Sequence, residues 1–214
     1  NNDGLVDIYF TGNMAPNRLY LNLGDFKFLD VTEEAGVAGQ RAWSTGATMA
    51  DVNGDGLLDI YVCNSGDVKG DNKQNELYIN QGVSTESGKE FPGVRFEEQA
   101  EAYGLADGGY GTHAAFFDYD KDGDLDVYLL NNSYRSIFDF NLQKEQRPIR
   151  DSLGGDKFFR NDLIPPPGQA KGSFTDVSEE VGIYGSDIGF GLGVTVGDVN
   201  KDGWQDIFVC NDFF

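Results

Sequence analysis

The 214-residue sequence predicts an all-β protein built from four-stranded antiparallel sheets, and three observations support this prediction. The chain contains 29 glycines, scattered rather than set in a triplet period, which indicates many turns. A nine-residue motif rich in aspartate recurs along the chain. Around each copy lie short segments of β-branched and aromatic residues, separated by glycine, asparagine and aspartate, which is typical of strands joined by tight turns.

Charge and hydropathy exclude some classes of protein. The chain has 16 basic and 36 acidic residues and a formal charge of −20, whereas a nucleic-acid-binding protein needs a basic surface. A content of 39% hydrophobic residues favours a folded protein over an acidic disordered tail. No apolar run approaches the ~18 residues that a membrane-spanning helix requires, so we expect no membrane span in this segment.

The repeated motif is Asp-x-(Asp/Asn)-x-Asp-Gly-x-x-Asp. It is complete at 51–59, 118–126 and 198–206, and residues 1–7 carry its last seven positions. Each copy lies in a longer frame of β-favouring segments. These are a small-residue segment before the motif (44–50, 111–117, 191–197), a β-rich run after it (8–10, 60–62, 127–129, 207–209), a third segment (19–22, 77–80, 158–161) and a fourth (28–36, 96–104, 174–182).

Four strands per repeat predict a four-stranded antiparallel blade, and radial stacking of such blades is a β-propeller. Glycine and alanine in the first strand fit this arrangement, because innermost strands crowd around the axis. A β-sandwich would explain the strands but not their repetition in register. We predict one propeller domain with a partial blade at 1–37, complete blades at 38–105 and 106–183, and a partial blade at 184–214; the second complete blade has a long insertion between its second and third strands.

The motif is suited to calcium, which binds six to eight hard oxygen ligands at flexible geometry. Side chains at positions 1, 3, 5 and 9 and the carbonyl at position 7 offer such oxygens, and the glycine at position 6 allows a turn with positive φ. The predicted ligands are Asp51, Asn53, Asp55, Leu57 and Asp59; Asp118, Asp120, Asp122, Asp124 and Asp126; Asp198, Asn200, Asp202, Trp204 and Asp206; and, in the truncated loop, Asn1, Asp3, Leu5 and Asp7. Magnesium binding and turns that bind no metal are the alternatives.

The segments 46–62, 114–126 and 197–214 resemble the FG-GAP or VCBS repeat family, and are most similar to bacterial VCBS-repeat proteins of the ASPIC/UnbV type. The resemblance implies a larger propeller of about seven blades, of which this chain is a part. It also implies an extracellular or cell-surface location, on a bacterial outer surface.

The connection between the second and third strands varies most in length, and variable loops on a constant scaffold often recognise partners. The longest, within 131–157, is basic and aromatic, and its candidate contacts to a protein or glycan partner are Arg135, Lys144, Arg147 and Arg150. The alternative is packing against a neighbouring blade, with salt bridges to nearby acidic residues. Residues 165–168, Pro-Pro-Pro-Gly, are predicted to form a stiff loop.

Three further residues are given structural roles. Cys63 and Cys210 occupy matching places in two repeats, so we predict buried free thiols rather than a disulfide. His113, the only histidine, lies among small residues of a first strand, where a packed residue is a better interpretation than a catalytic base. We find no combination of residues that indicates a catalytic site, and predict no catalytic residue.

The sequence therefore predicts a non-enzymatic, calcium-stiffened scaffold or binding module outside the cell, with three complete loops and one truncated loop for Ca²⁺. Its predicted partners are a protein or glycan, the rest of its own propeller and an outer-membrane or surface complex. The alternative is the propeller portion of a secreted carbohydrate-active enzyme, a lyase or hydrolase.

Overall fold

The computed structural model describes residues 1–40, 43–65, 74–84, 93–136, 145–162 and 173–212. Within these residues the chain forms thirteen strands and two one-turn helices, which confirms the all-β prediction. The strands are β1 (Ile8–Phe10), β2 (Arg18–Asn22), β3 (Phe28–Asp30), β4 (Ser44–Ala50), β5 (Asp59–Asn64), β6 (Glu76–Ser84), β7 (Gly93–Glu98), β8 (Gly111–Phe117), β9 (Asp126–Asn131), β10 (Lys157–Asp162), β11 (Ser173–Asp176), β12 (Gly191–Gly197) and β13 (Asp206–Asn211).

The strands form four separate sheets in which sequential strands pair antiparallel. The two central sheets have four strands each, β4-β5-β6-β7 and β8-β9-β10-β11. The first sheet is β1-β2-β3, and the last described sheet is the pair β12-β13. Antiparallel four-stranded units are therefore present as predicted. The blade boundaries, the number of blades and the closure of a ring remain predictions.

The first strands of successive sheets pack against one another: β4 contacts β8, and β8 contacts β12. Threonine hydroxyls join β4 to β8, since Thr45 Oγ1 donates to the Gly111 carbonyl at 2.8 Å and Thr48 Oγ1 to the Ala114 carbonyl at 2.6 Å. A Cβ atom on Gly46 would lie 2.5 Å from the Thr112 carbonyl oxygen. Glycine is thus required at this position of β4 by the close approach of the β8 backbone.

The core lies between the sheets, and each central strand contributes to two interfaces. Along β5, Ile60 and Val62 face the first sheet, whereas Tyr61 and Cys63 face the third, as the two-residue period of a strand requires. Because both faces are buried, β5 is apolar on both sides, and each sheet depends on its neighbours for its core.

The fourth segment of each repeat is only partly a strand, which differs from the sequence prediction. In the first two sheets a single helical turn follows, α1 (Thr32–Ala35) and α2 (Ala100–Tyr103), and each turn ends at a left-handed glycine. Asp30 Oδ1 accepts hydrogen bonds from the backbone N–H of Thr32 at 3.0 Å and from its hydroxyl at 2.6 Å. This short-range side-chain bond stabilises the turn at the strand end.

The cysteine prediction was half wrong. Both thiols are free, but Cys63 is buried and Cys210 is exposed. Cys63 points into the interface between the second and third sheets, whereas Cys210 lies on the face of β13 that no further described sheet covers. Matching positions in two repeats are equally buried only when both repeats have the same neighbours.

Close packing of the first strands can be tested with Gly46→Ala. We expect a loss of about 1–3 kcal/mol in the free energy of unfolding, because the added methyl group must displace the backbone of β8. Gly193 holds the same position in β12, and a Cβ atom there meets nothing within 4 Å, so Gly193→Ala is the matched control. Urea unfolding measures both. Equal effects of the two substitutions would contradict the packing described here.

Candidate metal-binding loops

Three copies of the motif lie in the tight connections between the first two strands of a sheet. They join β4 to β5, β8 to β9 and β12 to β13, and the truncated copy precedes β1. We name them loops 1 to 4 in chain order: residues 1–7, 51–59, 118–126 and 198–206. All four loops lie within the described residues.

The positive φ predicted for the glycine at position 6 is confirmed in every loop. Gly4, Gly56, Gly123 and Gly203 have φ values of 84°, 85°, 99° and 88°. A side chain is disfavoured in this left-handed region by contact of its Cβ atom with the backbone.

Position 4 is also left-handed, which the sequence prediction missed. Asn2, Gly54, Lys121 and Lys201 have φ values of 62°, 72°, 65° and 63°. Asparagine in loop 1 and glycine in loop 2 are residues that adopt this conformation readily, so they indicated it. Lysine, which stands at position 4 of loops 3 and 4, gave no such indication. Each loop therefore has two left-handed residues, separated by one residue.

The aspartate at position 1 organises this backbone. Asp51 accepts hydrogen bonds from the N–H groups of Asp55 at 3.1 Å and Gly56 at 2.8 Å. Asp198 does the same in loop 4, at 3.1 and 2.8 Å from Asp202 and Gly203. In loop 3, Asp118 accepts from Lys121 and Gly123. Carboxylate bonds to backbone N–H groups hold the loop coiled around its acidic side chains.

In loops 2 to 4 the aspartate at position 9 is the first residue of the following strand, and in loops 2 and 3 it is buried. Asp59 Oδ2 accepts from the N–H of Val52 at 3.0 Å, and Asp126 Oδ2 accepts from Tyr119 at the same distance. Burial raises the pKa of Asp59 to about 6 and that of Asp126 to about 7, above the ordinary value of 3.8.

An asparagine at the end of the third segment of each repeat, on β2, β6 or β10, completes the loop, and the sequence predicted no role for it. Asn22, Asn80 and Asn161 donate their backbone N–H to the position-9 aspartate at 2.9, 2.8 and 2.8 Å. Their side-chain Nδ2 atoms donate to the position-8 carbonyl at 3.0, 3.0 and 3.1 Å. The signal was the asparagine that ends each third segment.

Loop 3 brings three of its predicted ligands together. Asp118, Asp120 and Asp126 each offer a carboxylate oxygen, and these oxygens lie within 4.8 Å of one another. Among the described residues no other group of three acidic, histidine or cysteine side chains converges to this degree. Burial and the neighbouring Asp122 raise the pKa of Asp120, as expected where carboxylates crowd. This cluster can hold a metal ion.

Asparagine at position 3 distinguishes the other loops. Asn53 Nδ2 donates to Asp55 at 3.0 Å and Asn200 Nδ2 to Asp202 at 2.9 Å. In loops 2 and 4, the two predicted ligands at positions 3 and 5 are therefore hydrogen-bonded to each other. In loop 1, Asn1 Nδ2 donates to Asp3 at 2.8 Å. Loops 2 and 4 share the backbone of loop 3 and offer fewer charges.

The residues at position 7 take a common place in the loops. The backbone N–H groups of Leu5, Leu57, Asp124 and Trp204 donate to the aspartate at position 5, at 2.8, 2.8, 3.1 and 2.8 Å. A metal role for their carbonyl oxygens remains a prediction. Carboxylate, amide and carbonyl oxygens together form a hard donor set, which fits calcium or magnesium.

Two of the four residues predicted to contact a partner form bonds within the chain. Arg150 donates to the carbonyls of Ile183 at 2.7 Å and Asp156 at 2.8 Å, and Arg135 forms an ion pair with Asp187. Arg147 is exposed, while Lys144 and the 165–168 segment lie outside the described residues. Recognition through this loop remains a prediction. His113 lies half-buried on β8, and burial lowers its pKa.

Comparison with known proteins supports the class suggested by the fold and the loops. The family model described as FG-GAP-like repeat matches residues 1–62. Cartilage acidic protein 1 of Mus musculus and that of Homo sapiens are both 32% identical over 171 residues, 78% of this chain. The Xenopus tropicalis protein of the same name is 30% identical over 134 residues, 63% of this chain.

The chain spans about a quarter of the length of these mammalian relatives, 24% of the mouse protein and 23% of the human one, and 18% of the frog protein. The bacterial affiliation remains a prediction. No helix in the described ranges has the length and apolar character needed to cross a membrane.

The left-handed glycine at position 6 can be tested with Gly56→Ala. We expect a loss of about 1–2 kcal/mol in the free energy of unfolding, because alanine must adopt a φ of 85° there. Gly197, just before loop 4, has open space around it and no positive φ, so Gly197→Ala is the control. An unchanged urea midpoint in Gly56→Ala would contradict the loop conformation.

Burial of Asp59 and Asp126 predicts a pH dependence in the absence of divalent ions. Since their pKa values are raised to about 6 and 7 in the folded protein, the folded state favours the protonated carboxyls. Their contribution to stability is present below the unfolded pKa and is lost as the pH rises through about 6 to 7. With EDTA present, we therefore expect a lower urea midpoint at about pH 8 than at about pH 5.

The variant Asp126→Asn isolates this effect, because asparagine does not titrate. Its midpoint should change less between the two pH values than that of the parent protein. A midpoint that falls between pH 5 and pH 8 to the same extent in both proteins would refute the assignment to Asp126.

Proposed function

We propose that this chain is a calcium-stiffened part of an extracellular β-propeller that works as a scaffold or binding module. The observation that carries the proposal is the recurrence of one loop structure in four sheets, with the same left-handed positions. In loops 1 to 3 the aspartate at position 9 also accepts the same hydrogen bond from an asparagine of the third segment. A loop that repeats in this detail, with oxygen ligands at the same places, indicates one shared task.

Calcium would be held by the side chains at positions 1, 3, 5 and 9 and the carbonyl at position 7 of loops 2, 3 and 4, and by the remaining positions of loop 1. The bound ion supplies positive charge among carboxylates that repel one another. The loop residues hold the hairpin between the first two strands, and the asparagine on the third strand connects that hairpin to the rest of the sheet. Metal binding and folding are therefore coupled.

The similarity to Cartilage acidic protein 1 and the FG-GAP-like repeats support an extracellular, non-enzymatic role. Extracellular calcium is millimolar, and extracellular modules bind it with dissociation constants of about 10⁻⁴ to 10⁻³ M. We propose that the loop carrying Arg135, Lys144, Arg147 and Arg150 contacts a protein or glycan partner. Exposed Arg147 is the residue best placed for this role among those described.

We also propose that further blades of the same propeller cover the two outer sheets. Val52 is 1% exposed at position 2 of loop 2, whereas Val199 is 81% exposed at position 2 of loop 4. Likewise Tyr61 on β5 is 1% exposed and Phe208, its counterpart on β13, is 63% exposed. These apolar side chains are the kind that a neighbouring blade buries in the central interfaces.

Calcium binding is tested by thermal melting with EDTA and with millimolar CaCl₂. We expect cooperative melting and a midpoint several degrees higher with calcium, because the ion binds the folded state alone. Asp118→Asn should reduce this difference, since it removes a carboxylate of the loop 3 cluster.

The matched control is Glu33→Gln, which removes an exposed carboxylate in the first turn of α1 that belongs to none of the four loops. It should keep the full calcium effect. A melting midpoint that does not respond to EDTA would overturn the proposed function.

A further inference from the structure

One side chain contacts two of the loops. Asn161 lies on β10, is completely buried, and donates its backbone N–H to Asp126 Oδ1 at 2.8 Å. Its Nδ2 atom donates to the Leu125 carbonyl of loop 3 at 3.1 Å and to the Val52 carbonyl of loop 2 at 3.0 Å. The Val52 bond joins residues of two different sheets that lie 109 positions apart.

The loop 2 end of this connection is also rigid. Val52 donates its own N–H to Asp59 Oδ2 at 3.0 Å, and its buried side chain packs between the second and third sheets. One residue thus links the position-9 aspartate of loop 2 to the Asn161 side chain. Hydrogen bonds run without interruption from Asp59 through Val52 and Asn161 to Asp126.

The amide group of Asn161 cannot serve the two loops independently. Its Nδ2 atom has two hydrogens, and the two carbonyls that accept from it belong to different loops. A buried amide surrounded by packed side chains has little freedom to follow one carbonyl without the other. A change in the backbone of one loop therefore alters the hydrogen bond of the other.

We propose that Asn161 couples loops 2 and 3, so that calcium in one loop raises the affinity of the other; this proposal rests on the calcium-binding function proposed above. Asn161 is a positioning residue and contributes no ligand atom. Calcium bound to one loop orders that loop and fixes the carbonyl that Asn161 contacts there. The other loop then loses less conformational freedom when it binds its own ion. The coupling is reciprocal, because it is a free energy shared by the two sites.

The chain offers a matched comparison in Asn80. This asparagine occupies the same place on β6, donates to Asp59 and Leu58 of loop 2, and among the described residues forms no bond to a second loop. Truncation of Asn80 should therefore weaken its own loop and leave the coupling in place.

The experiment is a CaCl₂ titration of the ¹⁵N-labelled chain followed by two-dimensional NMR. The amide signals of Gly56, Gly123 and Gly203 report loops 2, 3 and 4 separately. Asp118→Asn with Asp120→Asn disables loop 3, and we expect the calcium midpoint at Gly56 to rise about 5-fold or more. In the reciprocal variant Asp51→Asn, the midpoint at Gly123 should rise by a similar factor.

Introducing Asn161→Ala should remove the effect, so that disabling loop 3 no longer shifts the Gly56 midpoint. In Asn80→Ala the shift should persist. If Asn161→Ala does not fold, the test rests on the two reciprocal shifts in the parent chain, with Asp202→Asn in loop 4 as the comparison. That substitution should leave the Gly56 midpoint unchanged.

The outcomes separate the two proposals. If none of the three glycine signals responds to millimolar CaCl₂, the proposed function fails and the coupling fails with it. If the signals respond but the Gly56 midpoint ignores the state of loop 3, calcium binding stands and the coupling is overturned. A shift that survives in Asn161→Ala would also overturn the role of this residue.

Discussion

The structure depends on the hydrogen bonds around the aspartate at position 9. In the second sheet, Asp59 begins β5 and accepts N–H groups from Val52, next to the end of β4, and from Asn80 on β6. One carboxylate therefore connects three strands at the end where the loop emerges. The third sheet repeats this arrangement around Asp126, so the loop that carries the acidic ligands is part of the sheet itself.

This arrangement explains how a chain with so much negative charge builds a packed core. The acidic side chains of the repeated motif lie in the loops that precede β5, β9 and β13 or begin those strands, while β5 and β9 are buried on both faces by the adjacent sheets. Close approach of the β8 backbone excludes a larger residue at Gly46, and most of the large side chains buried between the second and third sheets come from β5, β6, β9 and β10. Within each repeat, the loop positions therefore provide the negative charge and the strand positions provide the apolar packing between sheets.

The sequence predicted the features that a residue carries by itself, such as the strand-forming segments and the positive φ of Gly56. It did not predict features that depend on neighbours in space. The left-handed Lys121 is imposed by its loop, and the exposure of Cys210 follows from the absence of a described sheet beside β13. The role of Asn161 required the register of β10 against β9, which no single motif contains. Convergence of carboxylates in loop 3 likewise depended on side-chain directions that motif spacing leaves open.

A comparison between two buried aspartates shows why a cation suits the loops. Burial raises the pKa of Asp156 to about 6, but the Arg150 guanidinium and the Tyr128 hydroxyl oppose that rise. Burial raises the pKa of Asp126 to about 7, and there the neighbouring Asp120 and Asp124 raise it further. The backbone N–H groups of Tyr119 and Asn161 lower the pKa of Asp126, but they do not offset the rise caused by burial and by the neighbouring carboxylates. At Asp156 the fold supplies an arginine from its own sequence. At Asp126 the nearby charges that change the pKa are acidic, and a divalent ion bound among them would supply an opposing charge.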